Sequence, residues 1–341
     1  MKLAPFVIPI CVLFVAVDAC ADERGGVAPK PLYRDPVFDG AADPVVIWNP
    51  RVERWWMFYT NRRANVPDLG GVSWVHGTPI GIAESADGGV TWDYVGTAQI
   101  EPPAAAGDEP TFWAPDVIRG HDALWHMFLT VVPGVFNDWG HPRTIYHFTS
   151  SDLRNWTDPQ PIQLATDRAI DASLLRMPDG TWRMWYNHEP DGKSVYLAES
   201  PDLVAWTDRG KVGVGNRCEG PKVFRWRDKY WMVVDQWRGL GVFRSADADA
   251  WEAQPGNLLA APGRGNEDQV QGQHADVLVN DDRAYLFYFT HPGRRGEDAQ
   301  RDGTEQRRSS IQVVELSIDE NGWLACDRDT PTHINLLPPV D

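Results

Sequence analysis

The chain has 341 residues, enough for one large domain or two small ones, and a formal net charge of −16. That acidity argues against nucleic acid, or an anionic membrane surface, as the principal partner. Seventeen tryptophans and an aromatic content of 11% fit a β protein that needs large flat side chains, a carbohydrate binder, or both.

Lys2, the apolar stretch APFVIPICVLFVAV and the small residues of Ala19-Cys20-Ala21 read as a secretory signal peptide over 1–21, leaving 22–341 as a single domain. The stretch is short for a membrane span, which needs about 20 apolar residues. The expectation is an exported protein, periplasmic or extracellular, with no integral membrane segment after cleavage. Val17-Asp18-Ala19-Cys20 is a loose lipobox, so a lipid anchor at Cys20 is the alternative, although Asp18 fits it poorly. Cleavage after Ala21 leaves Cys218 and Cys326, too few for a disulfide scaffold; a single bridge between them is left open.

Downstream, one pattern recurs five times. A pair of short strands joined by a polar turn appears as DPVVIWNPRVERWWMFYT, APDVIRGHDALWHMFLT, DASLLRMPDGTWRMWYN, EGPKVFRWRDKYWMVVD and HADVLVNDDRAYLFYFT. Each pair is followed by a third short strand, then a tight turn and a Trp. The turns are Ser85-Ala-Asp87 to Trp92, Ser150-Ser-Asp152 to Trp156, Ser200-Pro-Asp202 to Trp206, Ser245-Ala-Asp247 to Trp251 and, more weakly, Ser317-Ile-Asp319 to Trp323. No segment carries a sustained helical period. Five units of about four strands over 39–330 predict an all-β, five-bladed β-propeller with four antiparallel strands per blade. The first turn, SADGGVTW, also matches the Asp-box of six-bladed sialidases, but five units argue against six blades. These turns are expected to be structural, the Asp capping turn amides and the Trp packing between blades.

The innermost strands of a propeller line its channel, so residues at their heads converge on the axis. An ionisable residue stands at each head: Asp43, Asp116, Asp171, Glu219, and His274 followed by Asp276. One such acid is ordinarily a solvated strand end. Five in corresponding places, raising one another's pKa values, are what general acid/base chemistry uses.

ADPVV, WAPDV, IDAS, EGPKVF and GQHADV together resemble the five-bladed glycoside hydrolases of family 43 and their relatives in families 32, 62, 68 and 117. The resemblance runs through all five units. It implies Asp43 as general base, Glu219 as general acid and Asp171 as the residue that tunes and orients the acid. Blade three reads Asp-Ala-Ser where Asp-Pro-Ser versions are common. Inverting hydrolysis places a water between base and acid, about 6.5–9.5 Å apart. The acid must hold a proton near neutral pH, and the apolar strand after Glu219, with Asp171 beside it, is expected to provide for that. Asp116 is expected to position its neighbours through hydrogen bonds, with contact to sugar as the alternative, and Trp113 stands with it. His274 is expected on the axis, holding a water or a metal or touching substrate. No cofactor is required, and calcium on the axis is the one the resemblance allows.

Three loops, 61–79, 133–143 and 290–310, are long for their units, and long loops in compact domains are usually functional. They carry Arg62, Trp74, His76, Trp139, His141 and Arg143, suited to stack on sugar rings and hydrogen-bond hydroxyls, and expected to wall the channel for exo action. Arg308, or its neighbour Arg307, resembles the family's substrate-contacting arginine. With Arg62, Arg63, Arg294 and Arg295 it suggests a reader of a uronate or sulfate. The expected partner is an oligosaccharide or polysaccharide bearing terminal arabinofuranosyl, xylosyl or galactosyl units; the oligomeric state is open. The alternatives are an algal-sugar hydrolase of the family 117 type and a non-catalytic carbohydrate-binding propeller.

Overall fold

The structure, a computed structural model, describes residues 25–339. The expected leader and Cys20 lie outside the described residues. Five antiparallel sheets follow in chain order. Blade one comprises Ala41–Asn49, Arg54–Asn61, Ile80–Ser85 and Asp93–Thr97. Blade two comprises Thr111–Arg119, Trp125–Val132, Thr144–Ser150 and Asn155–Pro161, and Gln99–Ile100 adds a short parallel strand at its outer edge. Blade three comprises Ala169–Arg176, Trp182–His188, Ser194–Ser200 and Thr207–Lys211. Blade four comprises Glu219–Trp226, Lys229–Asp235, Leu240–Ser245 and Glu252–Ala253. Blade five comprises Gln273–Asn280, Arg283–Thr290, Ser310–Ile318 and Leu324–Ala325.

The first strands of successive blades touch in order around the axis, and blade five closes on blade one. Each second strand is covered on both faces by neighbouring blades. That is why these strands read as near-continuous apolar runs, such as WHMFLTVV, rather than alternating ones. The outer strand of blade one, with water on one side, is at most half-buried.

The repeated turns act as the sequence predicts. Asp87, Asp152, Asp202, Asp247 and Asp319 each accept hydrogen bonds from turn amides. The following tryptophan then reaches back to the preceding blade. Trp156 meets Phe58 edge-on at 6.1 Å, Trp206 meets Phe128 at 5.5 Å, Trp251 meets Trp185 at 6.3 Å, and Trp92 meets Phe287 at 6.4 Å. Each such pair adds about 0.5–1.5 kcal/mol beyond its area burial, so the motif rivets blade to blade.

Blades one and five are joined by both termini. Gly26–Val27 pairs with His333–Ile334, and Tyr33 bonds reciprocally with Ile311. Ala28, Leu32, Tyr33, Ile334 and Leu336 complete the core between the two blades. Cys218 and Cys326 are both free, so the bridge left open by the sequence is not formed.

Candidate active site

Every inner strand kinks at the same end of the channel. Its ladder with the second strand slips between Ala42 and Val45, Trp113 and Asp116, Ile170 and Ser173, Glu219 and Lys222, and Gln273 and Ala275. A β-bulge re-aims side chains in this way. In four blades the first bulged residue is left-handed: Asp43 at φ 50°, Ala114 at 44°, Asp171 at 59° and Gly220 at 56°. Cross-blade hydrogen bonds hold the kinks. Ala114 N donates to Thr60 Oγ1 at 2.8 Å, Asp171 N to Thr130 Oγ1 at 3.1 Å, and His274 N to Asp235 Oδ2 at 3.1 Å.

The ionisable residues are therefore not level, as the repeat suggested. Asp43, Asp171 and His274 lie within bulges, and Glu219 stands one position before its bulge. Asp116 stands at the far side of its bulge, one layer deeper. There it pairs with Lys222 Nζ at 3.2 Å, and Lys222 bridges to Asp276 at 2.8 Å. Asp116 Oδ2 also accepts Leu174 N at 2.6 Å, and Asp276 Oδ2 accepts Val46 N at 2.9 Å. This deeper belt ties blades together beneath the pocket, and Asp116 does not line the pocket.

A pocket of about 440 Å³ opens above the belt and gathers Asp43, Asp171, Glu219 and His274. Arg62 Nη2 donates to both oxygens of Asp43, at 3.0 and 3.1 Å, while its guanidinium lies 4.7 Å from the Phe289 ring centroid. His274 Nδ1 stands 3.3 Å from Asp43 Oδ1. Burial alone would raise the Asp43 pKa, but Arg62 and His274 more than offset it and hold the carboxyl well below the usual range. His274 moves the other way. Burial would lower it, yet its hydrogen bond to Asp43 and the charges of Asp171 and Asp235 raise it to about 9. In its protonated form the ring is an ion-pair partner of Asp43. Among the described residues no group of three or more His, Cys, Asp or Glu is arranged to hold a metal ion.

Asp171 accepts Gly220 N at 3.0 Å, which fixes it beside Glu219. Burial, with the Glu219 and Asp43 charges adding to it against the pull of His274, raises Asp171 to about 7. Gly220 is required at its position: a Cβ there would lie 2.6 Å from His274 Cδ2, at a φ of +56°.

Glu219 does not sit among apolar groups, as the strand after it suggested. Lys193 Nζ donates to Oε2 at 2.6 Å and Trp237 Nε1 to Oε1 at 3.1 Å. Lys193 also bonds Glu189 at 3.1 Å, and Glu189 pairs with Arg143. Burial would lower the Lys193 ammonium; Glu219 and Glu189 reverse that and raise it, so it stays charged.

Arg62, Trp74, Trp113 and Trp139 line the pocket with these groups. His76, His141 and Arg308 do not. His76 is fully buried behind the wall, where it packs on Trp113 and Trp139 with ring centroids 5.1 and 6.1 Å away. His141 stacks on Phe136 and pairs with Asp138 at 3.2 Å. Arg308 is held by Glu267 at 2.7 Å and Glu305 at 2.8 Å, and Arg307 by Asp302 at 2.6 Å. The blade-five arginine in the pocket is Arg294.

Sequence reasoning missed Lys193, Glu189, Trp237, His291 and Asp235, all of which line the pocket. Asp235 pairs across the ladder with Glu219, and burial together with the Glu219 charge raises it to about 7. A signal for Asp235 was present: toward their ends the second strands read MFYT, MFLT, MWYN, MVVD and FYFT, a column of Thr, Thr, Asn, Asp and Thr. The members of that column in blades one, two and four accept the cross-blade amides described above.

Among curated proteins, none matches the chain. Solved structures do. A thermostable family-43 glycoside hydrolase superimposes with a TM-score of 0.61 at 19% identity, over 88% of this chain and 97% of that one. A β-1,3-galactosidase of family 43, bound to galactodeoxynojirimycin, gives 0.62 at 14% identity over 88% and 98%. An α-L-arabinanase from Cellvibrio cellulosa, complexed with arabinohexaose, gives 0.59 at 18% identity over 84% and 95%. At these identities the likeness concerns the fold. The model of the glycosyl hydrolases family 43 matches residues 71–324, most of the chain. With five blades around a carboxylate-lined pocket and that match along the sequence, the chain belongs to glycoside hydrolase family 43.

Proposed function

We propose that the protein is an exported, exo-acting, inverting glycosidase in which Asp43 is the base, Glu219 the acid and Asp171 the residue that orients and tunes the acid. The observation that carries this reading is the convergence of three carboxylates from blades one, three and four in one pocket, each in a different electrostatic setting. Asp43, held ionised by Arg62 and His274, takes a proton from water as the water attacks the anomeric carbon. Glu219 is ion-paired to Lys193 in the resting site, so it must first take up a proton; it then gives that proton to the departing glycosidic oxygen, and charge balances over the step. Lys193 and Trp237 hold the Glu219 carboxyl in place, and Asp171 supports it through the Gly220 amide.

Expected substrates are terminal arabinofuranosyl, xylosyl or galactosyl units of plant or algal glycans. Trp74 and Trp139 wall the pocket on one side, which favours a chain end over a mid-chain cleft. Among the described residues no helix is long and apolar enough to cross a membrane. The test is a screen on aryl α-L-arabinofuranosides, β-xylosides and β-galactosides and on algal oligosaccharides, with proton NMR of the first-formed sugar. Inversion gives the opposite anomer first; a first product of retained configuration overturns the mechanism.

A further inference from the structure

Five cations line the pocket, and four of them stand in ion pairs within the chain, sharing three carboxylates. Arg62 and His274 pair with Asp43, Arg143 with Glu189, and Lys193 with Glu189 and Glu219. The fifth is Arg294, at the exposed rim, which forms no ion pair among the described residues. Its arm is nevertheless fixed. Its amide closes a turn on His291 O at 3.0 Å, and its Nε donates to Gln306 O at 2.9 Å. The loop behind it is pressed onto the 304–307 turn so closely that a Cβ on Gly293 would lie 1.9 Å from Glu305 O. With Nε occupied, the two terminal nitrogens form the free edge of the guanidinium. Asp302, the acid that acts on it at longer range, is already bonded to Arg307 at 2.6 Å.

We propose that Arg294 selects for an anionic substituent on the sugar, a carboxylate or a sulfate ester, received on the free edge of its guanidinium. This rests on the glycosidase reading of the pocket. A planar fork with two open donors matches either oxyanion. A protein of net charge −16 would otherwise repel such a ligand, so a local unpaired cation is what acceptance of one requires. Of the six loop arginines that suggested this recognition in the sequence, only Arg62 and Arg294 reach the pocket, and Arg62 is committed to Asp43.

The experiment is calorimetric binding of matched pairs: xylotriose against xylotriose carrying a glucuronate, and galactobiose against its 6-sulfate. Wild-type protein is measured at low and moderate salt, alongside Arg294→Gln and Arg294→Lys. In at least one pair the charged member should bind about tenfold tighter, in line with a charge-assisted contact. That ratio should shrink with salt, collapse in Arg294→Gln and return in part in Arg294→Lys. The pair that shows it separates uronate from sulfate recognition. Equal binding within both pairs, including no binding by either member, overturns the proposal. So does a ratio that survives Arg294→Gln. Binding needs no turnover, so failure of the glycosidase reading would appear separately, as absence of hydrolysis.

Discussion

Replacing Asp43 by Asn should weaken the hold of His274 on its proton. The two groups stand 3.3 Å apart; Asp43 is buried and His274 is partly so. At an effective dielectric constant near 20, opposite unit charges at that distance attract by about 5 kcal/mol, equivalent to between 3 and 4 pKa units at about 1.4 kcal/mol each. That is an upper figure, because the pocket relaxes and Asp171 and Asp235 still face the ring. In wild type the His274 midpoint should lie near 9, and in Asp43→Asn it should fall by at least about one unit. The assay is an NMR titration of the ring carbons and nitrogens, with His274→Gln assigning the signal. A wild-type midpoint at or below the ordinary histidine value, or one indifferent to Asp43→Asn, would refute the electrostatic account of the site. Stability carries the same signature. A histidine raised on folding contributes stability fully below its unfolded pKa of about 6.5 and loses it as pH rises through about 9. The loss is about 3 kcal/mol over that window, readable from denaturant midpoints.

Three further outcomes are expected. Lys222→Met leaves Asp116 and Asp276 buried without their cation and should cost about 3–5 kcal/mol in urea unfolding; a loss below about 1 kcal/mol would mean that the belt beneath the pocket is not a structural tie. Gly220→Ala puts a methyl group against the His274 ring at a left-handed φ, and should lower melting temperature by an amount matching about 1–3 kcal/mol and reduce kcat more than it raises KM. Trp139→Ala removes a pocket-lining ring that is 54% exposed, so KM should rise about tenfold with kcat nearly unchanged; a fall in kcat alone would place Trp139 in the reacting geometry instead.

The blade count was legible because each blade repeats the same physical solution: a doubly covered second strand, then an Asp-capped turn and a Trp that locks the preceding blade. Asp43, Asp171, Glu219 and His274 could be placed in one pocket because inner strands converge whatever their sequence separation. What the repeat could not convey was depth. Each bulge turns successive side chains to different layers, so Asp116, two residues past Ala114, falls into the belt with Lys222 and Asp276 while Asp43 and Asp171 face the pocket. Loop partners were also out of reach. Nothing local distinguishes Arg294, which faces the pocket, from Arg308, which Glu267 and Glu305 claim from distant and adjacent segments. Lys193 reaches Glu219 only because the blade-three hairpin folds over the head of blade four, a contact that no spacing in the sequence encodes.

The most direct test measures turnover and affinity together for Glu219→Gln and Asp43→Asn on whichever oligosaccharide the screen identifies. General acid or base catalysis contributes roughly 10²–10⁴-fold, so each variant should lose at least a hundredfold in kcat while the Kd for the oligosaccharide stays within about threefold. If either variant keeps more than a tenth of wild-type kcat, the assignment of acid and base to these two carboxylates is contradicted.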